Sequence, residues 1–173
     1  MWKKVELENA DTSDVLIDRA IRFATAAHDG MFRADGVTPY INHPIAVAKI
    51  LRVLGEPANT VVAAVLHDVI EDCGVDREYL AHKFGIWVAL TVSEVTFPAG
   101  VPNRRAAIIA AIPNMSPAAI KIKVVDAIVN LADLPNSGWD RGKAERYRAH
   151  LERVIAVGVN TLWNLAWRPK SEE

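Results

Sequence analysis

An apolar repeat at three- and four-residue steps runs through most of the chain, and it leaves no room for a strand of ordinary length. Between Ser13 and Ala27 the residues Leu16, Ile17, Ala20, Ile21, Phe23, Ala24 and Ala27 recur at that spacing, which places them on one face of a helix. Ser13 or Thr12 can cap this helix, and Gly30 follows its end. A loop through Arg33, Asp35, Gly36 and Pro39 leads to His43-Pro44. Because the residue before a proline disfavours helical angles, His43 is expected as the N-cap of a second helix that ends at Leu54, before Gly55. Further helices are expected over 57–72, 76–83, 86–95, 103–112, 117–134 and 142–167. They are separated by Gly74, Gly85, the breakers Pro98-Ala99-Gly100-Val101-Pro102, and Pro135 to Gly138. The short β-branched patch 120–125 falls inside a helical period that Pro117 opens. The sequence therefore predicts an all-α bundle, with a frayed tail over 169–173.

The 173 residues fit one domain with a single core, expected to occupy about 13–167. A net charge of −1 offers no electrostatic footprint for a long nucleic-acid backbone, though a few local cations suffice for a small anion. No segment reaches the ~20 apolar residues of a membrane span, and the first residues lack a signal-peptide core, so the cytoplasm is the expected compartment. The one cysteine, Cys73, lies on an apolar stretch and reads as a buried thiol.

Four polar groups interrupt the most apolar of these helices, in Val65-Leu66-His67-Asp68-Val69-Ile70-Glu71-Asp72. His67 and Glu71 are four apart and share a face of that helix, as do Asp68 and Asp72. Clustered carboxyls repel one another unless they are protonated or neutralised by a cation, and a divalent metal held by imidazole and carboxylate answers that need. His43 at a helix start supplies a second imidazole. Asp126, inside the run Ile122-Lys123-Val124-Val125-Asp126-Ala127-Ile128-Val129, supplies another carboxylate, and one that needs a partner if buried. That partner is either a metal or a neighbouring lysine or arginine.

The stretches 26–30 (Ala-Ala-His-Asp-Gly), 39–48 (Pro-Tyr-Ile-Asn-His-Pro-Ile-Ala-Val-Ala), 66–72 and 126–131 (Asp-Ala-Ile-Val-Asn-Leu) together resemble the HD phosphohydrolases. Within these they resemble the hydrolase domain of Rel/Spo enzymes and the stand-alone small alarmone hydrolases. The resemblance implies an HD-type helical bundle and a metal, typically manganese, on His43, His67, Asp68 and Asp126. It implies that Glu71 and Asp72 orient or deprotonate the attacking water. It further implies that Arg33 packs against a purine, that Asn130 contacts substrate, and that Lys143 and Tyr147 close on its phosphates. The expected reaction removes pyrophosphate from the ribose 3′ position of ppGpp or pppGpp, leaving GDP or GTP.

The chain departs from the family pattern at four places, one of them Val129 where a polar or aromatic residue is usual. Ala34, Ala127 and Ala132 stand where cations are usual, which predicts weaker capture of highly charged alarmones unless Arg104, Arg105, Arg141 or Lys143 compensate. Two alternatives follow. One is the same centre acting on another nucleotide, such as the 2′-phosphate of NADPH; the other is a non-catalytic nucleotide sensor. His28, His82 and His150 read as capping, core or helix-face residues, and Trp139, Trp163 and Trp167 as packing residues.

Overall fold

The computed structural model describes residues 13–97 and 100–167, and these are helical with no strand; the one β-bridge pairs Phe32 with Pro39 in a loop. Thr12 as a cap, Pro98 and Ala99 in the predicted loop, and the 169–173 tail lie outside the described residues. The order is α1 (Ser13–Ala27), α2 (Asn42–Val53), α3 (Ala58–Val65), α4 (Val69–Cys73), α5 (Arg77–Phe84), α6 (Ile86–Val95), α7 (Arg104–Ala111), α8 (Pro117–Asp133) and α9 (Arg141–Ala166). Short 3-10 turns follow α7 and α8.

Helix α3 is the centre. Every residue from Thr60 to His67 is buried, because α1, α2, α6 and α8 all pack on it. Each buried valine or leucine there contributes about 1.5–3 kcal/mol relative to exposure. Helix α8 lies between α2 and α9. Gly158 sets the approach of α9: a Cβ there would fall 2.3 Å from Val124 Cγ2, so only glycine lets the helices come this close. The packing of α8 fixes the height of Asp126 against α2 and α3.

Two sequence expectations about helix ends need correction, and both fall at the site. The helix expected over 57–72 is broken at Leu66, His67 and Asp68 into α3 and α4. Leu66 (φ −99°, ψ 2°) and Asp68 (φ −102°, ψ −8°) sit near the bridge region, and Val69 N bonds to Leu66 O. No glycine or proline marks this break, so periodicity alone ran through it. His43 is not the N-cap of α2. A turn in which His43 N bonds to Tyr40 O already winds the chain, so α2 begins at Asn42 with Ile41 as N-cap and carries His43 and Pro44 inside its first turn.

Elsewhere the boundaries follow the punctuation. Asp76 caps α5 by accepting from Glu78 N and Tyr79 N, and Ser116 caps α8 by accepting from Ala119 N. Cys73 is half-buried rather than enclosed, and burial pushes its thiol up to about 11. Trp163 and Trp167 stack on each other at 5.5 Å and stay exposed, so they are not core.

Candidate metal centre and active-site cavity

The break after α3 has a chemical consequence. His67 folds back and donates from Nδ1 to Ala64 O at 2.7 Å, which commits its proton to that nitrogen and turns Nε2 away from the helix. His67 Nε2 then lies 3.1 Å from Asp68 Oδ2 and 3.9 Å from Asp126 Oδ1. From the first turn of α2, His43 Nε2 lies 3.0 Å from Asp126 Oδ1 and 3.9 Å from Asp68 Oδ2. Both imidazoles are 1 % exposed and the two carboxylates 18 % and 14 %, so this is a buried knot with one wet side. His43, His67 and Asp68 offer ligand atoms that all lie within 4.8 Å of one another.

Without a metal, such a knot is held by protons. Burial opposes charge on His67, but the Asp68 carboxylate facing it wins and raises the imidazole to about 9. Burial also opposes charge on Asp68 and Asp126. His67 outweighs it for the first and Lys123 for the second, so both carboxyls sit below the ordinary range. A divalent ion fits the same donor set. Metal–nitrogen and metal–oxygen bonds of about 2.0–2.2 Å put adjacent ligand atoms roughly 3 Å apart, close to the spacings here. Once its proton is given up, the lone pair of His67 Nε2 points at a carboxylate oxygen, which calls for a cation between them.

The carboxylates are held from behind. Tyr40 donates its hydroxyl to Asp68 Oδ2 at 2.8 Å, while its ring stacks at 4.9 Å on His28, whose Nδ1 lies 2.9 Å from Ala24 O. Asn130 Nδ2 donates to Asp126 Oδ1 at 2.6 Å, and Lys123 Nζ lies 3.2 Å from Asp126 Oδ2. The sequence left a metal or a cationic side chain open as the partner of Asp126; Lys123 is such a side chain, and the imidazoles face the other oxygen. Arg33 donates to Asn130 Oδ1 at 2.7 Å and to Asp133 Oδ2 at 3.1 Å, with its guanidinium 5.5 Å above the Tyr40 ring. Asn130 thus links Arg33 to Asp126.

Two cavities meet over this centre, sharing Arg33, Tyr40, Asn130 and Tyr147. The polar one, about 450 Å³, carries His43, Asp68 and Asp126 together with Glu71, Asp72, Arg104, Arg105, Lys123 and His150. The other, about 300 Å³, carries Phe32, Ala34, Leu134 and Trp139. Glu71 Oε2 accepts from Phe97 N at 2.9 Å, and Glu71 Oε1 pairs with Arg104. Burial raises the Asp72 carboxyl, and Asp68 raises it further. Tyr147 is pushed up to about 12 by burial, with the Arg105 guanidinium 5.6 Å from its ring. Lys143 points elsewhere: its ammonium sits 3.8 Å over the Trp139 ring, and Lys143 lines neither cavity.

The residues singled out in the sequence therefore gather here, Lys143 excepted. Tyr40, Lys123, His150 and Trp139 escaped it. Tyr40 and Lys123 stand three residues before His43 and Asp126, a helical spacing that could have flagged them. Trp139 meets Tyr147 edge-on at 5.3 Å, so its ring forms a cavity wall rather than core. Among the missing cations, Ala34 lines the less polar cavity and Ala127 the polar one, while Ala132 is exposed on α8. Of the expected substitutes, Arg104 and Arg105 line the polar cavity, but Arg141 pairs with Glu145 and is 92 % exposed.

Comparison with known proteins bears on the fold and the family. The guanosine-3′,5′-bis(diphosphate) 3′-pyrophosphohydrolase MESH1 of Danio rerio is 34 % identical over 155 residues, which cover 85 % of this chain and 86 % of that protein. The Homo sapiens protein of the same name is 36 % identical over 144 residues, covering 79 % and 80 %. A solved structure described as a metazoan ortholog of SpoT that hydrolyzes ppGpp superposes with a TM-score of 0.78. It has 29 % identity and covers 87 % of this chain and 92 % of that one. The HD domain family profile matches residues 20–133, and the chain belongs to the HD domain family.

Proposed function

We propose that this protein hydrolyses ppGpp and pppGpp at the ribose 3′ position, releasing pyrophosphate and leaving GDP or GTP. The observation that carries the reading is the pairing of a His/Asp centre with a cation-lined cavity, in a chain similar over most of its length to 3′-pyrophosphohydrolases. His43, His67, Asp68 and Asp126 hold one divalent ion, manganese by the chemistry of the set: two imidazoles favour a first-row ion over magnesium, which prefers oxygen ligands. When bound, that ion supplies a lowered water pKa and polarises a phosphoryl oxygen.

The rest is done by the protein. Glu71 and Asp72 stand on α4 at the edge of the polar cavity, placed to take the proton from the attacking water. The water oxygen bonds to the 3′ phosphorus, the bond from phosphorus to O3′ breaks, and O3′ takes up a proton. Arg104, Arg105 and Lys123 balance the charge of the pyrophosphoryl group. Phe32, Arg33, Trp139 and Tyr147 offer a flat, partly apolar slot suited to the guanine base, Arg33 by stacking. Residues 1–173 act as one domain. No described helix is long and apolar enough to cross a membrane, and we place the protein in the cytoplasm, the compartment expected from its sequence.

A turnover panel tests the reading: manganese-loaded protein against ppGpp, pppGpp, NADPH and simple nucleotides. Release of pyrophosphate from the two alarmones, with NADPH untouched, is expected. Turnover of NADPH alone would transfer the centre to a 2′-phosphatase reaction, and binding of alarmone without turnover would make it a sensor.

A further inference from the structure

The carboxylate proposed to take the proton is not free. Glu71 Oε1 is paired with Arg104, at the start of α7, and Glu71 Oε2 accepts from Phe97 N, two residues past the end of α6. Arg104 reaches Glu71 from the far side of the connection between α6 and α7, and its side chain remains 44 % exposed against 22 % for Glu71. It also lines the cavity that holds His43, Asp68 and Asp126, beside Arg105 and Lys123. One guanidinium is thus within reach of two anions: a carboxylate and whatever phosphate enters.

We propose that Arg104 is a substrate-responsive latch. Without ligand it neutralises Glu71 and occupies one of its oxygens. An incoming diphosphate, with more charge and more acceptor oxygens, draws the guanidinium across, since arginine pairs with phosphate in the same forked geometry. Glu71 Oε1 is released to face water, and the bond from Phe97 N keeps the carboxylate in place by its other oxygen. Arg104 is therefore a positioning residue for Glu71 and a binding residue for the phosphate, and the two duties exclude each other. The step moves no covalent bond. It deepens the proposed reaction and rests on that reading only in identifying the anion as a diphosphate.

The test is a thermodynamic cycle read with inorganic pyrophosphate, titrated calorimetrically into wild type, Arg104→Ala, Glu71→Gln and the double variant, with manganese in constant excess. Arg104→Ala is expected to weaken pyrophosphate by about tenfold, the worth of one charge-assisted contact. Glu71→Gln is expected to tighten it roughly fivefold, because the competitor for Arg104 is weakened. In the Arg104→Ala background the Glu71→Gln change should have no further effect. If Glu71→Gln tightens binding equally with and without Arg104, general charge repulsion explains it and the latch is overturned. Unchanged binding in Glu71→Gln overturns it too. Arg104→Gln replaces the alanine variant should that one unfold below wild type. Pyrophosphate affinity is measured whether or not ppGpp is turned over, so failure of the latch and failure of the alarmone reading are separate results.

Discussion

The floor and the rim of the cavity are built on opposite terms. On the floor, the His43 and His67 side chains are 1 % exposed, α3 is buried from Thr60 to its end, and each proposed ligand carboxylate has a partner behind it in Tyr40, Asn130 or Lys123. On the rim, Arg104 and Arg105 are exposed and lean on Glu71 and Tyr147, and beyond it Lys143 leans on Trp139. A buried donor set that must bind an ion in one geometry demands rigid helices and fixed tautomers. A surface that must accept and release a polyanion works better with mobile cations whose resting partners are weak. In the proposed reaction the floor sets the chemistry, and the rim sets what is captured.

The contrast is broken most severely from below. His67→Ala and Asp126→Ala are each expected to strip the metal and reduce turnover to background, because either change removes one of the four proposed donors. Metal analysis of the purified variants checks this, and full metal content in both would dissolve the four-ligand assignment. Glu71→Gln comes next. It keeps the shape and should keep the metal, yet glutamine takes no proton at neutral pH, so turnover should fall by about 100- to 10,000-fold. Near-normal kcat in a metal-replete variant would remove Glu71 from the reaction.

The same contrast explains what the sequence disclosed. An aspartate or histidine inside an apolar helix is conspicuous because burial without a partner costs about 1–3 kcal/mol or more, so His67, Asp68 and Asp126 stood out. The helical bundle was legible for a similar reason, since the three- and four-residue period and the Gly and Pro stops act locally. Leu66 to Asp68 were misread because the kink there comes from tertiary demand: His67 takes a carbonyl of its own helix to aim Nε2 at the carboxylates. Rim residues were hard to rank because an arginine on an exposed helix satisfies the same pattern whether or not a cavity lies beneath it. Arg104 differs from Arg141 in that folding brings it a distant partner, Glu71, whereas Arg141 pairs with Glu145 one turn along its own helix.

Tyr40→Phe probes the layer behind the floor. Its hydroxyl holds Asp68 Oδ2, and its ring stacks between His28 and the Arg33 guanidinium, so removal of one oxygen leaves the packing intact. Supports of metal ligands commonly carry about 10- to 100-fold in metal affinity or activity. Manganese affinity should fall within that range, while the KM for ppGpp at saturating metal stays near wild type. A large KM effect with unchanged metal affinity would move Tyr40 from the floor to the rim.

The smallest expected effect belongs to Ala34→Lys, and it decides whether the alanines at 34, 127 and 132 leave the site short of charge. Ala34 lies in the less polar cavity, beside Arg33, whose guanidinium is already engaged by Asn130 and Asp133. The cations of the polar cavity stand on α7 and α8, where Arg104, Arg105 and Lys123 share it with the proposed metal ligands. A lysine at 34 would enter on the exposed side, where an ion pair contributes about 0–1 kcal/mol, equivalent to at most roughly a fivefold change in KM. If the phosphates are captured by α7 and α8, KM for ppGpp should move by no more than this, with kcat unchanged. A fall of tenfold or more would place a phosphate against the loop that carries Arg33. The missing lysine would then be a true deficit, and Arg104 and Arg105 bystanders rather than replacements.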